Sequence, residues 1–307
     1  MRRADLILLN ADIRTMDPRC PRARAIAIAG GRVLAVGDEA AMTALAGPGA
    51  EVIDAGGRQV LPGFHDTNIH VQDGGQHYAE SADLSAAMTV EALQQTLRDF
   101  ARTHERKWVL GGFYYSGVLG EHNLNRHVLD VAVPDRPCLI MASDGHNGCL
   151  NTRGCEAVGL VKGTPDPENG HFVVDANGVP TGLLYETATM WAEERMPPVP
   201  DSSYEAGVLF AQAHANRNGF TGLLDASIGE RHARVYKRLV ERDALTARIL
   251  ATVRVEASET TEGALARLTA LRATHQSEMF RIHSAKFFLD GVIENRTAAM
   301  IEEYSDA

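Results

Sequence analysis

Polar side chains that could bind a metal ion lie at the end of an apolar, strand-like stretch near residue 66. Alternate side chains of an extended strand share one face, which groups Asp66, Asn68 and His70. An imidazole nitrogen is a common ligand of divalent metals, and His70 could supply one. A histidine that only forms a hydrogen bond in a polar loop is the alternative. The residues alone leave both interpretations open.

A lysine interrupts the apolar pattern of a second strand-like stretch, residues 281–290. Strict alternation places Lys286 on the same face as Ile282 and Ser284. A lysine inside a packed sheet is costly unless it is paired or modified. A lysine that has reacted with carbon dioxide becomes a carbamate, whose oxygens can bridge two metal ions. An ordinary ion-paired lysine is the other interpretation.

A further histidine, His146, follows the apolar run Leu139–Ala142. It could contact a substrate or transfer a proton, and a structural loop histidine is equally compatible with the pattern. Histidines on predicted helices, such as His232, are expected to be surface or packing residues. The sequence lacks the glycine-rich, P-loop and GxSxG motifs of dinucleotide-binding proteins, P-loop proteins and serine hydrolases.

Composition narrows the classes of partner. The chain has 307 residues, with 30 Lys and Arg against 40 Asp and Glu, and a formal net charge of −10. This acidic balance disfavours a nucleic-acid partner. No apolar run approaches the roughly 20 residues of a membrane helix, so no membrane partner is expected. Four scattered cysteines and the absence of a signal-peptide pattern predict a cytoplasmic protein with reduced thiols.

The first part of the chain is predicted to be rich in strands. Short apolar stretches separated by Gly-Gly turns fill residues 4–60 and predict a small antiparallel sheet. Residues 60–70 form one further predicted strand. The segment that follows, residues 72–200, has no clean periodicity. It contains one predicted helix, Val90–His104, and several turn-rich stretches.

Helices and strands alternate from Asp201 onward, which is typical of βα repeats with a parallel sheet. With residues 60–70 this gives about four parallel strands, half of the eight in a (β/α)₈ barrel. A half barrel exposes parallel edges, so we expect either a truncated chain or pairing with a second copy as a homodimer. The predicted fold class is α/β, with a β-sandwich portion (1–59), a partial (β/α)₈ barrel (60–71 and 201–307) and an inserted α+β lobe (72–200).

Four motifs in order along the chain together resemble the amidohydrolase superfamily. Within it they resemble amidohydrolase family 3, which includes N-substituted formamide deformylases. Residues 60–70 are similar to the strand-one motif PGFxDxHxH, and residues 144–152 to the DGH…vNs element. Residues 165–186 resemble the stretch dP…G…d..G.ptGvl.E, and residues 286–298 the motif K…DG…TA. The resemblance covers essentially the whole chain.

The resemblance implies a distorted (β/α)₈ barrel and a small β-sandwich made from both chain ends. It also implies metal-dependent hydrolysis of a C–N bond in N-substituted amides or formamides, by attack of a metal-bound hydroxide on the carbonyl carbon. By position, His70 and Asn68 match the two metal histidines of strand one. Lys286 matches the lysine that can be carbamylated. One or two divalent ions, zinc foremost, are the implied cofactor.

Two departures from the family pattern bear on activity. Asn68 stands where the family has its first histidine, and an amide oxygen is a weaker metal ligand than an imidazole. The family's later metal ligands and its catalytic aspartate belong to strands five to eight, so the base is expected beyond Ala307 and the catalytic residues remain unknown. Ligand number governs metal affinity, so little activity is expected from these 307 residues alone.

His146 and Glu186 are the candidates for contacting a small amide-type substrate, directly or through neighbouring residues. Two further functions stay open at this point. One is a catalytically inactive remnant that acts only in binding or assembly, favoured by Asn68 and by the missing half of the barrel. The other is a deaminase of a heterocyclic base, which would use the same hydroxide on a ring C–N bond.

Overall fold

The computed structural model describes residues 2–117, 119, 124–256, 258–290, 298–302 and 304. The chain has a mixed α/β fold and divides into two compact units, Met1–His65 and Asp66–Ala307. Gly291 and Thr297, which belong to the last sequence motif, lie outside the described residues. Within the described ranges, every helix is too short or too polar to cross a membrane.

The first unit is built mainly from short strands. Its elements are β1 (Ala4–Leu9), β2 (Asp12–Arg14), β3 (Arg22–Ala23), β4 (Ala25–Ala29), β5 (Arg32–Gly37), α1 (Glu39–Thr43), β6 (Ala46–Asp54) and β7 (Gln59–Val60). One sheet has the order β5-β4-β1-β6 and a smaller one the order β3-β2-β7. Ile7, Ala25 and Ala27 lie in the core of the larger sheet.

The prediction of a purely antiparallel sheet is wrong for two pairs of strands, β1 with β6 and β2 with β7, which are parallel. β1 pairs with β4 antiparallel, as expected, but it pairs with β6 in the parallel direction. Parallel strands need a long crossover connection. Here the intervening strands and α1 provide it, with Asp38 capping α1 by accepting a hydrogen bond from the Ala41 amide at 2.8 Å. The Gly-Gly turns in this part of the chain do not indicate such a crossover.

The predicted single strand over residues 60–70 is also divided. β7 ends at Val60, and the next strand, β8 (Phe64–Ile69), joins a different sheet. Pro62 and Gly63 lie between them. Proline has no amide hydrogen to donate to a strand ladder, so a break at this position is physically expected.

The segment that was predicted to be irregular contains more helices than expected. Its elements are α2 (Val71–Glu80), β9 (Ala82–Asp83), α3 (Val90–Thr103), β10 (Val109–Tyr114), α4 (Arg126–Ala132), β11 (Cys138–Ala142), β12 (Asn147–Leu150), α5 (Thr152–Val158), β13 (Gly170–Val174), β14 (Pro180–Glu186) and α6 (Thr187–Glu193). The strands form a sheet with the order β13-β14-β12-β11-β10-β9. The predicted helix is confirmed to within one residue, with Thr89 as its N-cap. A separate lobe over 72–200 stays a prediction.

The alternation of helices and strands predicted from Asp201 onward is confirmed. The elements are α7 (Asp201–Arg217), β15 (Phe220–Ile228), α8 (Glu230–Glu241), β16 (Arg248–Val255), α9 (Thr261–Thr274) and β17 (Phe280–Phe287). They form a sheet with the order β17-β16-β15-β8, in which β16 is parallel to both β15 and β17. Ile249, Ala251 and Val253 of β16 are buried in one apolar cluster with Tyr236 and Leu239 of α8.

A β-bulge in β17 places Lys286 on the opposite face from Ile282, whereas strict alternation placed the two on one face. Ala251 pairs with Ile282, but the next residue, Thr252, pairs with Ser284, so β17 has one extra residue here. Ile282 is therefore buried with Ala251 on the helix-covered face, whereas Ser284 pairs with Thr252 on the opposite one. Strict alternation wrongly placed these residues together, because a one-residue slip moves every later side chain to the other face.

A close crossing of α2 and α7 joins the two parts of the second unit. A Cβ atom added to Gly75 would lie 2.2 Å from the Gly207 carbonyl oxygen, and one added to Gly207 would lie 2.3 Å from the Gln76 amide nitrogen. The crossing therefore requires glycine on both helices. The two adjacent glycines of α2 lower its helix propensity, which explains why the residue pattern there does not predict a helix.

Replacing Gly75 with alanine tests this crossing. We expect Gly75→Ala to lower the free energy of unfolding by about 1–3 kcal/mol, because the new methyl group overlaps the α7 backbone. Gly74→Ala is the matched control, since a Cβ there meets no atom within 4 Å, and it should be neutral or stabilising by up to about 1 kcal/mol. Urea unfolding measures both. Equal effects of the two substitutions would contradict the close crossing.

Candidate active site

A cavity of about 600 Å³ opens at the carboxyl ends of the parallel strands. His70 follows β8, Ile228 ends β15, Arg254 lies near the end of β16 and Phe288 follows β17, and all four line the cavity. Ligands of α/β proteins bind outside the carboxyl ends of the strands. The position of this cavity, called here the first cavity, therefore makes it the candidate active site.

His70 is held in an orientation that suits a metal ligand. Its Nδ1 atom lies 2.8 Å from the Ala226 carbonyl oxygen. A carbonyl oxygen can only accept, so Nδ1 carries the hydrogen and Nε2 of the neutral ring keeps a free lone pair. Histidine ligands of metals usually donate their other ring N–H to a carbonyl or carboxylate in this way. His70 thus fits the role of a ligand through Nε2.

The other two predicted ligands are placed differently. Asn68 is exposed, and its backbone amide donates to Asp66 Oδ1 at 3.1 Å. Lys286 is half-buried, with Nζ 5.2 Å from the centroid of the Phe288 ring. Phe288 lines the first cavity, whereas Asn68 and Lys286 are not among its described lining residues. The structure therefore brings Lys286 next to the cavity wall without a described contact to His70.

The described residues do not assemble a complete metal site. Within the part of the chain that the structure describes, no three His, Cys, Asp or Glu side chains are arranged to hold a metal ion. His70 is one well-oriented donor. The donor set present thus fits a divalent metal only in part, and any further ligands are not among the described residues of these types.

A pair that the sequence analysis missed, Asp73 and His232, lies in the first cavity beside His70. The Gly229 amide donates to His232 Nδ1 at 3.0 Å, so Nε2 carries the hydrogen and donates to Asp73 Oδ1, also at 3.0 Å. Burial lowers the pKa of His232, but the hydrogen bond and charge of Asp73 outweigh burial and hold that pKa above its usual value. Of these two residues, Asp73 could have been found from the sequence, because it lies one helical turn after the candidate ligand His70.

The charges on the wall of the first cavity are largely paired. Arg254 Nε lies 2.7 Å from Glu256 Oε1, and Arg267 lies 2.7 Å from Glu259 Oε1. These pairs leave no strong excess of one sign around His70 among the described lining residues. A balanced wall favours a polar ligand without a net charge over a strongly charged one.

A buried carboxylate fixes the segment that carries His70. Asp225 is 2% exposed; its Oδ1 accepts from the Val71 amide at 3.0 Å and its Oδ2 from the Tyr236 hydroxyl at 2.6 Å. Burial raises the pKa of Asp225 to about 6, although both hydrogen bonds oppose the shift. Consecutive residues of β15, Asp225 and Ala226, thus hold the consecutive residues Val71 and His70.

The two predicted substrate residues contact each other at a different place, on the sheet of β12 and β14. His146 Nδ1 lies 3.0 Å from Glu186 Oε2, with side chains 42% and 40% exposed. Asp144 Oδ1 accepts from the His146 amide at 2.8 Å and shapes the turn before it. Neither member of the pair is among the described residues lining the first cavity.

Glu186 holds an unusual backbone conformation, with φ of 53° and ψ of −125°. Positive φ is costly for residues other than glycine, and such strain concentrates at ligand-binding positions. With this backbone conformation, the Glu186 carboxylate lies beside His146 at the junction of β14 and α6. No residue pattern around Glu186 indicates this strain.

A family model described as "Amidohydrolase family" matches residues 51–307. The chain belongs to the amidohydrolase family. Its similarity to N-substituted formamide deformylase of Arthrobacter pascens is 31% identity over 76% of this chain and 44% of that protein. It is 25% identical to the protein LONG AFTER FAR-RED 3 of Arabidopsis thaliana, over 99% of this chain and 53% of that protein.

The fold of this chain is shared with a solved structure. A crystal structure of an uncharacterized metal-dependent hydrolase from Pyrococcus horikoshii matches 98% of this chain and 58% of that chain, with a TM-score of 0.75 and 24% identity. That likeness is one of fold. The amidohydrolase chain spans about half the length of the curated relatives it matches.

The buried Asp225 predicts a pH-dependent stability. Its folded pKa of about 6 lies above the value of about 4 for an unperturbed aspartate, so the folded state binds more protons than the unfolded state between these values. The stability contributed by this group is complete below about pH 4, declines as the pH rises to about 6, and amounts to at most about 3 kcal/mol.

Asp225→Asn removes this titration. The free energy of unfolding of the unchanged chain, minus that of the variant, should fall between about pH 4 and pH 6 in urea unfolding measurements. Asp243→Asn, at an exposed aspartate, is the control and should leave the difference flat. A difference for Asp225→Asn that does not change with pH would contradict the buried, protonatable carboxyl group.

Replacing Glu186 with glycine tests the strained backbone. Glycine adopts positive φ without strain, so Glu186→Gly should raise stability relative to Glu186→Ala, which keeps the strain, by about 1–3 kcal/mol. Both variants lose the partly exposed contact with His146, worth about 0–1 kcal/mol, so their difference isolates the backbone. Thermal or urea unfolding measures it, and an alanine variant as stable as the glycine variant would disprove the strain.

Proposed function

We propose that this amidohydrolase chain belongs to a metal-dependent hydrolase that cleaves the C–N bond of N-substituted amides or formamides. The observation that carries the proposal is the orientation of His70, whose Nδ1–H donates to the Ala226 carbonyl at 2.8 Å and leaves Nε2 free beside the first cavity. Family membership and the similarity to a formamide deformylase support the same reaction class.

The proposed cofactor is a divalent metal ion, with zinc as the first candidate because Nε2 of a neutral imidazole is one of its usual ligands. When bound, such an ion polarises a carbonyl group and lowers the pKa of water. Asn68 and Lys286, the latter as a carbamate, are proposed as further ligands. The remaining ligands and the base are proposed to lie in sequence after Ala307, which the 44% coverage of the deformylase supports.

The residues around His70 are proposed to position it and to bind a neutral substrate. Asp225 and Ala226 fix the His70 segment, and the Asp73–His232 pair occupies the adjacent wall. The paired charges of the cavity suit an uncharged amide group. His146 and Glu186 are proposed to contact the substrate from the sheet of β12 and β14, where their exposed atoms remain available.

The finer architecture is part of the same proposal. The sheet β17-β16-β15-β8 would be the first four strands of a (β/α)₈ barrel, and the first unit would be a β-sandwich portion. The separate apolar clusters of the second unit support an inserted lobe over residues 72–200. A cytoplasmic location and a homodimer remain proposals from the sequence.

One observation favours a second function. Asn68 is exposed, and the described residues hold no group of three His, Cys, Asp or Glu that could bind a metal. A catalytically inactive remnant that acts in binding or assembly would have such an incomplete site. The two functions differ in one measurable property, the retention of a metal ion by His70.

His70→Ala tests the proposed ligand. The chain is equilibrated with Zn²⁺, dialysed, and assayed for retained zinc, because little hydrolysis is expected from these residues alone. Removing a residue behind a ligand typically lowers metal affinity about 10–100-fold, and loss of a direct ligand should lower zinc affinity by more than that. His65→Ala, on the other face of the same strand, should leave the retained zinc unchanged.

Asn68→His provides a gain-of-function arm to the same measurement. A second imidazole should raise the retained zinc, because it is a stronger ligand than an amide oxygen. Unchanged zinc in His70→Ala would contradict the ligand assignment. If the unchanged chain and Asn68→His both retain no zinc, the binding remnant becomes the better account of this chain.

A further inference from the structure

A second cavity, of about 280 Å³, lies among α2, α6, α7 and the strands β10 and β11. It neighbours the first cavity: Tyr204 lines the second cavity, and its ring meets the His232 ring edge-on at 5.9 Å between centroids. α2 contributes to both cavities, since Asp73 in its first turn lines the first cavity and His77 lines the second one.

Most of the wall of the second cavity is apolar, and part of its backbone is restricted by prolines. Leu110 of β10 and Leu139 and Met141 of β11 form one side, and the segment 196–199 forms another. The segment contains two consecutive prolines, whose rings fix the backbone φ angles. Little conformational entropy is therefore lost when a ligand with a compact hydrocarbon body binds here.

Glu193 supplies an unpaired carboxylate to this cavity. Among the described residues, none forms a hydrogen bond or an ion pair with it. Arg195 instead contacts Glu194 and stacks on Trp191, while Arg231 pairs with Asp201. Glu193 is an exposed residue, so water solvates its carboxylate, and a cation held against the apolar wall would pair with it directly.

The electrostatics of the cavity agree with a cationic ligand. Glu193 is exposed as a residue, although partial burial of its carboxyl group raises the pKa of Glu193, the direction expected for a carboxylate that lacks a cationic partner. Burial also lowers the pKa of His77, so its ring adds no positive charge near neutral pH. The described lining residues therefore carry no cation that would compete with a ligand for Glu193.

We propose that the second cavity binds a small organic cation: an alkylammonium or arylalkylammonium ion whose hydrocarbon body contacts the apolar wall and whose ammonium group donates to the Glu193 carboxylate. A neutral molecule of the same shape leaves Glu193 unpaired, and an anion is repelled by it. Selectivity at this site is thus a selectivity for charge. The inference does not depend on the proposed hydrolysis, because binding is measurable without turnover.

Isothermal titration calorimetry of the chain at neutral pH tests this site. The probes are 2-phenylethylammonium and its neutral analogue 2-phenylethanol. Glu193→Gln removes the charge, and Glu194→Gln is the matched control one residue away, at a glutamate that does not line the cavity. Val199→Phe places a larger side chain in the cavity wall and blocks the site without altering its charge.

We expect the ammonium probe to bind in a one-to-one complex and more tightly than the alcohol. Glu193→Gln should weaken it about tenfold, the usual effect of losing a charge-assisted hydrogen bond, while Glu194→Gln leaves it unchanged. Val199→Phe should weaken both probes. Absence of binding, equal affinity for the two probes, or equal loss in Glu193→Gln and Glu194→Gln would overturn the proposal, the last because it indicates only general attraction to an acidic chain.

Discussion

The attachment of the His70 segment to β15 is the constraint on which the candidate site depends. His70 and Val71 follow the last residue of β8, where a chain would otherwise be free to move. The Ala226 carbonyl accepts from His70, and the buried Asp225 carboxylate accepts from the Val71 amide. These two bonds fix both the position of the ring and the nitrogen that carries its hydrogen. The orientation needed for a metal ligand is thus built into the sheet.

The close crossing of α2 and α7 lies next to the His70 segment. Gly75 and Gly207 let α2 and α7 approach so closely that no other residue fits. Because His70 is the N-cap residue of α2, this contact also constrains the direction in which the helix leaves the first cavity. Tyr204 of α7 and His77 of α2 then line the second cavity. α2 thus contributes residues to two neighbouring cavities of different character, one with paired charges and one with an apolar wall and a single carboxylate.

The sequence predicted the features that depend on local pattern. The helix after Thr89, the alternation after Asp201 and the family were found because capping, periodicity and motif spacing are local properties. The sequence could not reveal features that depend on distant partners. Three such features arise from tertiary contacts: the bulge before Ser284, the parallel pairing of β1 with β6, and the contact of His232 with Asp73. Predictions from strict alternation and from the position of a residue on a helix were therefore wrong at these places.

The most direct test of the central claim is the tautomer of His70, observed by two-bond ¹H–¹⁵N correlation NMR of the ring. The account predicts hydrogen on Nδ1, and a change of the Nε2 resonance when Zn²⁺ is added. Those spectra would place the free lone pair where a metal ligand needs it. A ring with hydrogen on Nε2, or an Nε2 resonance that does not respond to Zn²⁺, would contradict the account.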